Sequence, residues 1–201
     1  MKSFDVIKYL LLVFVFFNLS LFAEEPPASK AVGIFLTAGV GPRLPVGDFA
    51  NTTDLGYGIN VDVSYTDSDH LPFFIFARLG FEQYPGAQDY YLSSDYSNFS
   101  TMIIPASLGI RYYFSPLVES IVLLIPVIEA SASVTYMQRL HEFKMGTGRN
   151  NFREEVFKFG ASAGVGISMF IVEILANYNY FESNQYVSFN LNVRLPLFVN
   201  L

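Results

Sequence analysis

The two histidines, His70 and His141, are too isolated from each other to form a recognisable metal-ligand spacing. The chain has no cysteine, which removes thiolate metal sites, thiol nucleophiles and a lipid-bearing N-terminal Cys. His141-Glu142 beside loop serines offers the parts of a hydrolase, but no spacing joins them. Gly39-Val40-Gly41, Gly56-Tyr57-Gly58 and Gly164-Val165-Gly166 each lack the third glycine and the strand-to-helix context that position a phosphate. A net charge of −6 without Lys/Arg clusters argues against nucleic acid as a partner. The expectation is therefore a chain with no catalytic centre, no cofactor and no metal, in which both histidines are ordinary surface residues. More informative are four acids, Asp62, Glu82, Glu129 and Glu173, four bases, Arg78, Arg111, Lys158 and Arg194, and the aromatics Tyr84, Tyr90, Tyr91, Tyr96 and Phe99.

What must position these residues is a set of strands with period two. From Leu55 to Tyr65 the odd positions are Leu, Tyr, Ile, Val, Val and Tyr, while the even ones are Gly, Gly, Asn, Asp and Ser. Such strict alternation marks a strand with one apolar face. Residues 73–81 and 102–114 repeat it, and 32–40, 122–136, 156–169, 170–181 and 186–199 bring the expected strands to eight. The eight charges fall on the second face, four of each sign.

The small face decides which way the apolar face points. It holds Gly56, Gly58, Gly80, Gly109, Gly160, Gly164 and Gly166 with Ser64, Ser107, Ser131, Ser133, Ser162 and Ser168, which suit a crowded interior. Hydrophobic residues reach 52% and charged ones only 15%, whereas a soluble barrel needs a charged exterior. Turning the apolar face outward gives a lipid-facing belt free of charge, where each Arg or Lys at the midplane would cost roughly 2 to 4 kcal/mol. Tyr57 and Tyr65, like Phe73 and Phe81, share a face eight residues apart. At ~3.3 Å per residue each pair spans about 26 Å, matching the ~25 Å apolar band between aromatic girdles of membrane barrels. The fold expected is all-β: an eight-stranded antiparallel up-and-down transmembrane β-barrel. Its interior is only just wide enough for side chains, so the four acids and four bases must lie close together and pair, in an order the sequence leaves open.

Lys2 and Lys8, an apolar run from Tyr9 to Phe17, and Leu21-Phe22-Ala23 follow the order of a secretory signal peptide. This divides the chain into a signal peptide at 1–23, a short periplasmic leader at 24–31 and a barrel at 32–201. With a periplasmic N-terminus the outward loops are 41–54, 83–101, 138–155 and 182–185. The inward turns are 66–72, 115–120 and one near Met169, reproducing the usual long-outside, short-inside asymmetry.

Gly39 and Gly41, the loop Pro45-Val46-Gly47-Asp48-Phe49, and Gly56-Tyr57-Gly58 leading into the next strand resemble small outer-membrane β-barrel domains of the OmpA/OmpX-like superfamily. The likeness runs from about Ala31 to Leu201. It implies export to the bacterial outer membrane, with outer-membrane lipid and the outer-membrane assembly machinery as partners. Members usually end in an aromatic residue, whereas this chain ends Phe198-Val199-Asn200-Leu201. The role expected is non-enzymatic, structural or surface-contacting through the long loops, with an unidentified surface ligand. A narrow conduit for small or apolar molecules and a barrel-embedded lipid-modifying enzyme are the alternatives. In the loop 83–101 the tyrosines amid Ser, Asn and Asp have the composition of adaptable contact surfaces; the competing reading rests them on the barrel rim or on lipid headgroups.

Overall fold

The computed structural model describes residues 32–67, 70–117 and 124–200. The segments read as signal peptide and leader lie outside the described residues. Eight strands, β1 (Val32–Val46), β2 (Gly56–Asp67), β3 (Leu71–Pro85), β4 (Tyr96–Tyr113), β5 (Ile125–Phe143), β6 (Phe152–Met169), β7 (Val172–Phe181) and β8 (Gln185–Asn200), follow in chain order. Each pairs antiparallel with the next, and β8 returns to β1, closing the barrel. Closure leaves no edge strand with unpaired backbone groups, a requirement for any sheet that spans lipid.

The alternation fixes the two faces. In β2, Tyr57, Ile59, Val61, Val63 and Tyr65 are exposed while Asn60, Asp62 and Ser64 are buried. In β8, Phe189, Leu191, Val193, Leu195 and Leu197 form the outer row, and Ser188, Asn190 and Asn192 the inner one. Exposed apolar residues over buried polar ones invert the order of a soluble domain, so the belt faces lipid. Small inward residues give the interior its room: a β-carbon on Gly164 would overlap the Asn177 side chain.

Several strands run beyond the bounds read from the sequence. β1 continues to Val46, β3 to Pro85 and β5 to Phe143, while β4 begins at Tyr96 and β6 at Phe152. The long outward loops expected at 41–54, 83–101 and 138–155 shrink accordingly. The first becomes a 3-10 turn, Gly47–Asn51, opened by Gly47 at a φ of 60°, and the second carries a short helix, α1 (Gln88–Ser93). At the opposite end, the β4–β5 hairpin continues past the named strands through Phe114 N–H donating to the Pro126 carbonyl and Leu117 N–H to the Leu124 carbonyl. Phe170, at a φ of 53°, turns β6 into β7.

Candidate functional site

Inside the barrel, β2, β3, β4, β5, β7 and β8 each send one charge into a single layer. Register sets Asp62 opposite Arg78 and Arg111 opposite Glu129. Arg78 grips Glu129 with both terminal nitrogens, at 2.7 and 3.0 Å, and reaches Asp62 at 3.4 Å. Arg111 donates from Nε to the same Glu129 at 2.8 Å and from Nη2 to Asp62 at 3.2 Å. Glu173 lies 3.6 Å from Arg111 and 3.3 Å from Arg194, and accepts from the Tyr113 hydroxyl at 2.7 Å. The layer thus sets three carboxylates against three guanidiniums, and aromatic rings wall it. Phe76 stands under Arg78 and Arg111 at 4.7 and 4.9 Å, and Arg194 lies 4.6 Å from the Tyr113 ring.

The remaining two charges of the sequence reading lie elsewhere. Glu82 pairs with Arg43 at 2.8 Å and accepts from the Tyr84 hydroxyl at 2.8 Å. Arg43 had no place in the sequence reading because Pro42 and Pro45 mark a turn there; inward spacing from Thr37 through Gly39 and Gly41 was the signal that reaches it. Lys158 does face inward but stands at the rim, where its ammonium donates to the Glu182 carbonyl at 2.6 Å and to Asn184 Oδ1 at 2.5 Å. It joins neutral oxygens rather than the charged layer, because β6 descends from the outward loop and at Lys158 has reached only the level of the outward β7–β8 turn.

Above the layer lies a small chamber of amides and hydroxyls, lined among others by Asn60, Ser107, Ser133 and Asn177. Above that, Phe49, Tyr84, Ile103, Met137, Phe181 and Tyr186 pack into a buried plug, with the Phe49 and Tyr84 rings 4.9 Å apart. The barrel is similar in fold to solved structures. It is similar to Neisserial surface protein A, at 15% identity and a TM-score of 0.45 over 83% of this chain and 99% of that one. It is also similar to Ail, the attachment invasion locus protein of Yersinia pestis, at 13% identity and a TM-score of 0.44 over 84% of this chain and 100% of that one. The same Ail protein in complex with the heparin analogue sucrose octasulfate aligns at 11% identity with a TM-score of 0.41, over 84% and 100% of the two chains. No family model and no curated protein matches the sequence.

Apart from Tyr84, which belongs to the plug, the aromatic residues read as a loop surface fold inward on themselves. Tyr84 is fully buried in the barrel and Phe99 nearly so, which corrects their assignment to an exposed contact loop. Both lie on extended strands, where every second residue must face in. Tyr91 donates its hydroxyl to the Phe99 carbonyl at 2.7 Å and accepts from the Phe99 N–H at 3.0 Å. Tyr90 stacks on Tyr96 at 5.3 Å, and Tyr96 on Phe143 at 4.7 Å. Partial burial, then the adjoining Tyr96, raise the Tyr90 phenol above its ordinary pKa.

His141 sits in this crown rather than on a free surface. Its ring stacks on Phe152 at 4.3 Å, and its two nitrogens face the Tyr96 hydroxyl at 3.1 Å and Glu154 at 3.4 Å. Both nitrogens are therefore engaged, and neither faces a serine hydroxyl as nucleophile activation requires. His70 lies in the exposed turn after β2, 3.1 Å from Asp67.

Proposed function

We propose that this protein is an outer-membrane barrel without catalytic chemistry that holds a pre-ordered contact surface above the bilayer. The observation that carries the reading is the clamp between the second and third outward loops. Lys144 donates to the carbonyls of Tyr91 and Ser94, both at 2.8 Å, and its own N–H bonds the Asp95 carbonyl. The aromatic crown lies beneath, so α1 and the 144–151 loop form one body. An ordered surface binds without first losing loop entropy, which favours affinity. Its outer edge is formed by Gln88, Asp89, Leu92, Asn98, Met145 and Arg149, all exposed.

The filled interior supports a closed barrel over the conduit reading. Charges that pair within the lumen, with an aromatic plug above them, occupy the space that a conducting wall would line with water. In planar bilayers, steady large single-channel currents from the purified protein would overturn this part. Residues 1–23 as export signal, 24–31 as leader, and outer-membrane lipid and assembly machinery as partners belong to the same reading.

The contact role is tested on the edge rather than on the crown's packing. Leu92→Asp with Met145→Asp should leave gel mobility before and after heating unchanged, yet abolish adherence of barrel-bearing cells to host-cell, matrix or neighbouring-cell surfaces. Adherence no greater than that of cells lacking the protein, or equal adherence by the double variant across the panel, overturns the contact surface.

A further inference from the structure

Closure pairs every strand within the belt, but β4, β5 and β6 rise above it as a three-stranded sheet with two edges. The last residue of β3 pairs with Ser100, and β7 meets β6 no higher than Phe181 opposite Gly160. β5 stays paired with β4 as far as Tyr96 and with β6 as far as Phe152. The β4 edge is covered. There the Tyr91 hydroxyl donates to the Phe99 carbonyl and accepts from the Phe99 N–H, taking both places of a neighbouring strand.

That contact also fixes which groups of β6 face the other edge. The main-chain groups of Phe99 point away from β5, and Phe99 lies opposite His141, so those of His141 point to β6. The N–H of Phe143, two residues on, agrees by donating to Asn151 on the β6 side. His141 lies opposite Phe152, whose groups therefore point back to β5. Alternation then turns the N–H and C=O of Arg153, Glu155 and Phe157 to the open side. Among the described residues no hydrogen bond meets them there.

Proteins normally blunt such an edge with proline, a bulge or a free lysine. Residues 152–158 contain no proline or glycine, and their register with β5 runs without a shift. Lys158, at the foot of the edge, is drawn to the Glu182 carbonyl and Asn184, and Glu154 faces Arg139 and His141 on the inner side. Arg153, Glu155 and Phe157 carry their side chains outward, all exposed. A strand laid beside them meets a base, an acid and an aromatic ring in turn, and opposite charges across strands attract.

We propose that the β6 edge takes up an extended peptide of a partner protein as an added antiparallel strand. From its N-terminal end this peptide carries an apolar, a basic and an acidic side chain at alternate positions, opposite Phe157, Glu155 and Arg153. Two copies in one membrane both run β6 inward, so their edges cannot lie antiparallel. The edge is separate from the clamped loops and goes beyond the contact surface they form.

The mature chain in phosphatidylcholine nanodiscs and a fluorescent nine-residue peptide test this. The peptide has leucine, lysine and glutamate at its third, fifth and seventh positions and threonine elsewhere. Without peptide, the amides of Arg153, Glu155 and Phe157 should exchange freely and those of Glu154 and Val156 slowly; saturating peptide should slow the first three at least tenfold. N-methylation of the leucine, lysine and glutamate should weaken binding at least tenfold, and methylation of the threonines between them should not. Glu155→Pro removes an edge-facing N–H and leaves the β5 ladder intact, so it should abolish binding with gel mobility before and after heating unchanged. Arg153→Glu with Glu155→Arg should come to prefer a peptide with lysine and glutamate exchanged, and Leu92→Asp with Met145→Asp should bind like the unaltered protein. Slow exchange of all five amides in the free protein overturns the open edge. Absence of saturable binding, equal binding of both methylated peptides, or full binding by Glu155→Pro overturns the added strand. An unchanged preference after charge reversal overturns the partner's pattern, and loss of binding in the loop variant overturns the edge as its seat. A dimer that Glu155→Pro dissolves would give the edge to a second copy and overturn the partner.

Discussion

The two halves of the barrel interior are filled by opposite means. The inner half is a layer of three carboxylates and three guanidiniums, whereas the outer half, above the chamber, is a plug of aromatic and aliphatic side chains. The plug stabilises by removing apolar area from water, about 25 cal/mol per Å². The charged layer contributes little net stability, since desolvation offsets much of its Coulomb attraction. What it supplies is register: a slip of one residue along any of the six strands that feed it would turn that strand's charge into the lipid.

If that division is right, the largest effect belongs to the residue that holds the layer together. Glu129 accepts from Arg78 twice and from Arg111 once. Glu129→Ala leaves both guanidiniums buried with only the longer contacts to Asp62 and Glu173, and should destabilise by about 3 to 5 kcal/mol. Urea unfolding in vesicles measures it. A cost under about 1 kcal/mol would mean that water already enters the layer and that the two halves differ less than their residues suggest.

A smaller loss is expected where the halves meet the same chemistry. Tyr84 belongs to the plug, yet its hydroxyl donates to Glu82. Tyr84→Phe keeps the ring against Phe49 and Tyr186, and Glu82 keeps Arg43. The same unfolding assay should show a loss of about 1.5 to 3 kcal/mol, the range for a bond to a charged group. A cost matching that of Glu129→Ala would show that the outer half also depends on its polar bond rather than on packing.

Most of the barrel was legible because a lipid-facing strand must alternate without charge, and residues 55–65 do so over their whole length. The strand ends were not, because above the belt the outward residues turn polar and the contrast vanishes. Gln138 and Glu155, bonded to each other at 3.2 Å across β5 and β6, show an extended ladder that composition reads as loop. Tyr84, Phe99 and His141 were misplaced for the same reason. The charges of the inner layer stood out because they interrupt a face of Gly and Ser. Their pairing did not, since Arg78 meets Glu129 across the lumen from a non-neighbouring strand, at a distance set by closure rather than by adjacency in sequence.

The smallest effect is expected at Lys158, which shares the inward face of β6 with Gly160 and Ser162 but not the charged layer. Its two bonds go to the Glu182 carbonyl and to Asn184 Oδ1, and Arg139 also donates to that amide oxygen, at 3.0 Å. Lys158→Ala therefore leaves no carboxylate uncompensated and keeps the Arg139 bond to Asn184. At the half-buried rim, water can take over the vacated acceptors, so the loss should stay at or below about 1 kcal/mol. A double-mutant cycle with Glu129→Ala sharpens the boundary. Sites without shared partners add within about 0.5 kcal/mol, and Lys158 shares none with Glu129. Coupling well above that value would place Lys158 electrostatically inside the layer and extend the charged half to the outer mouth, erasing the division between the two fillings.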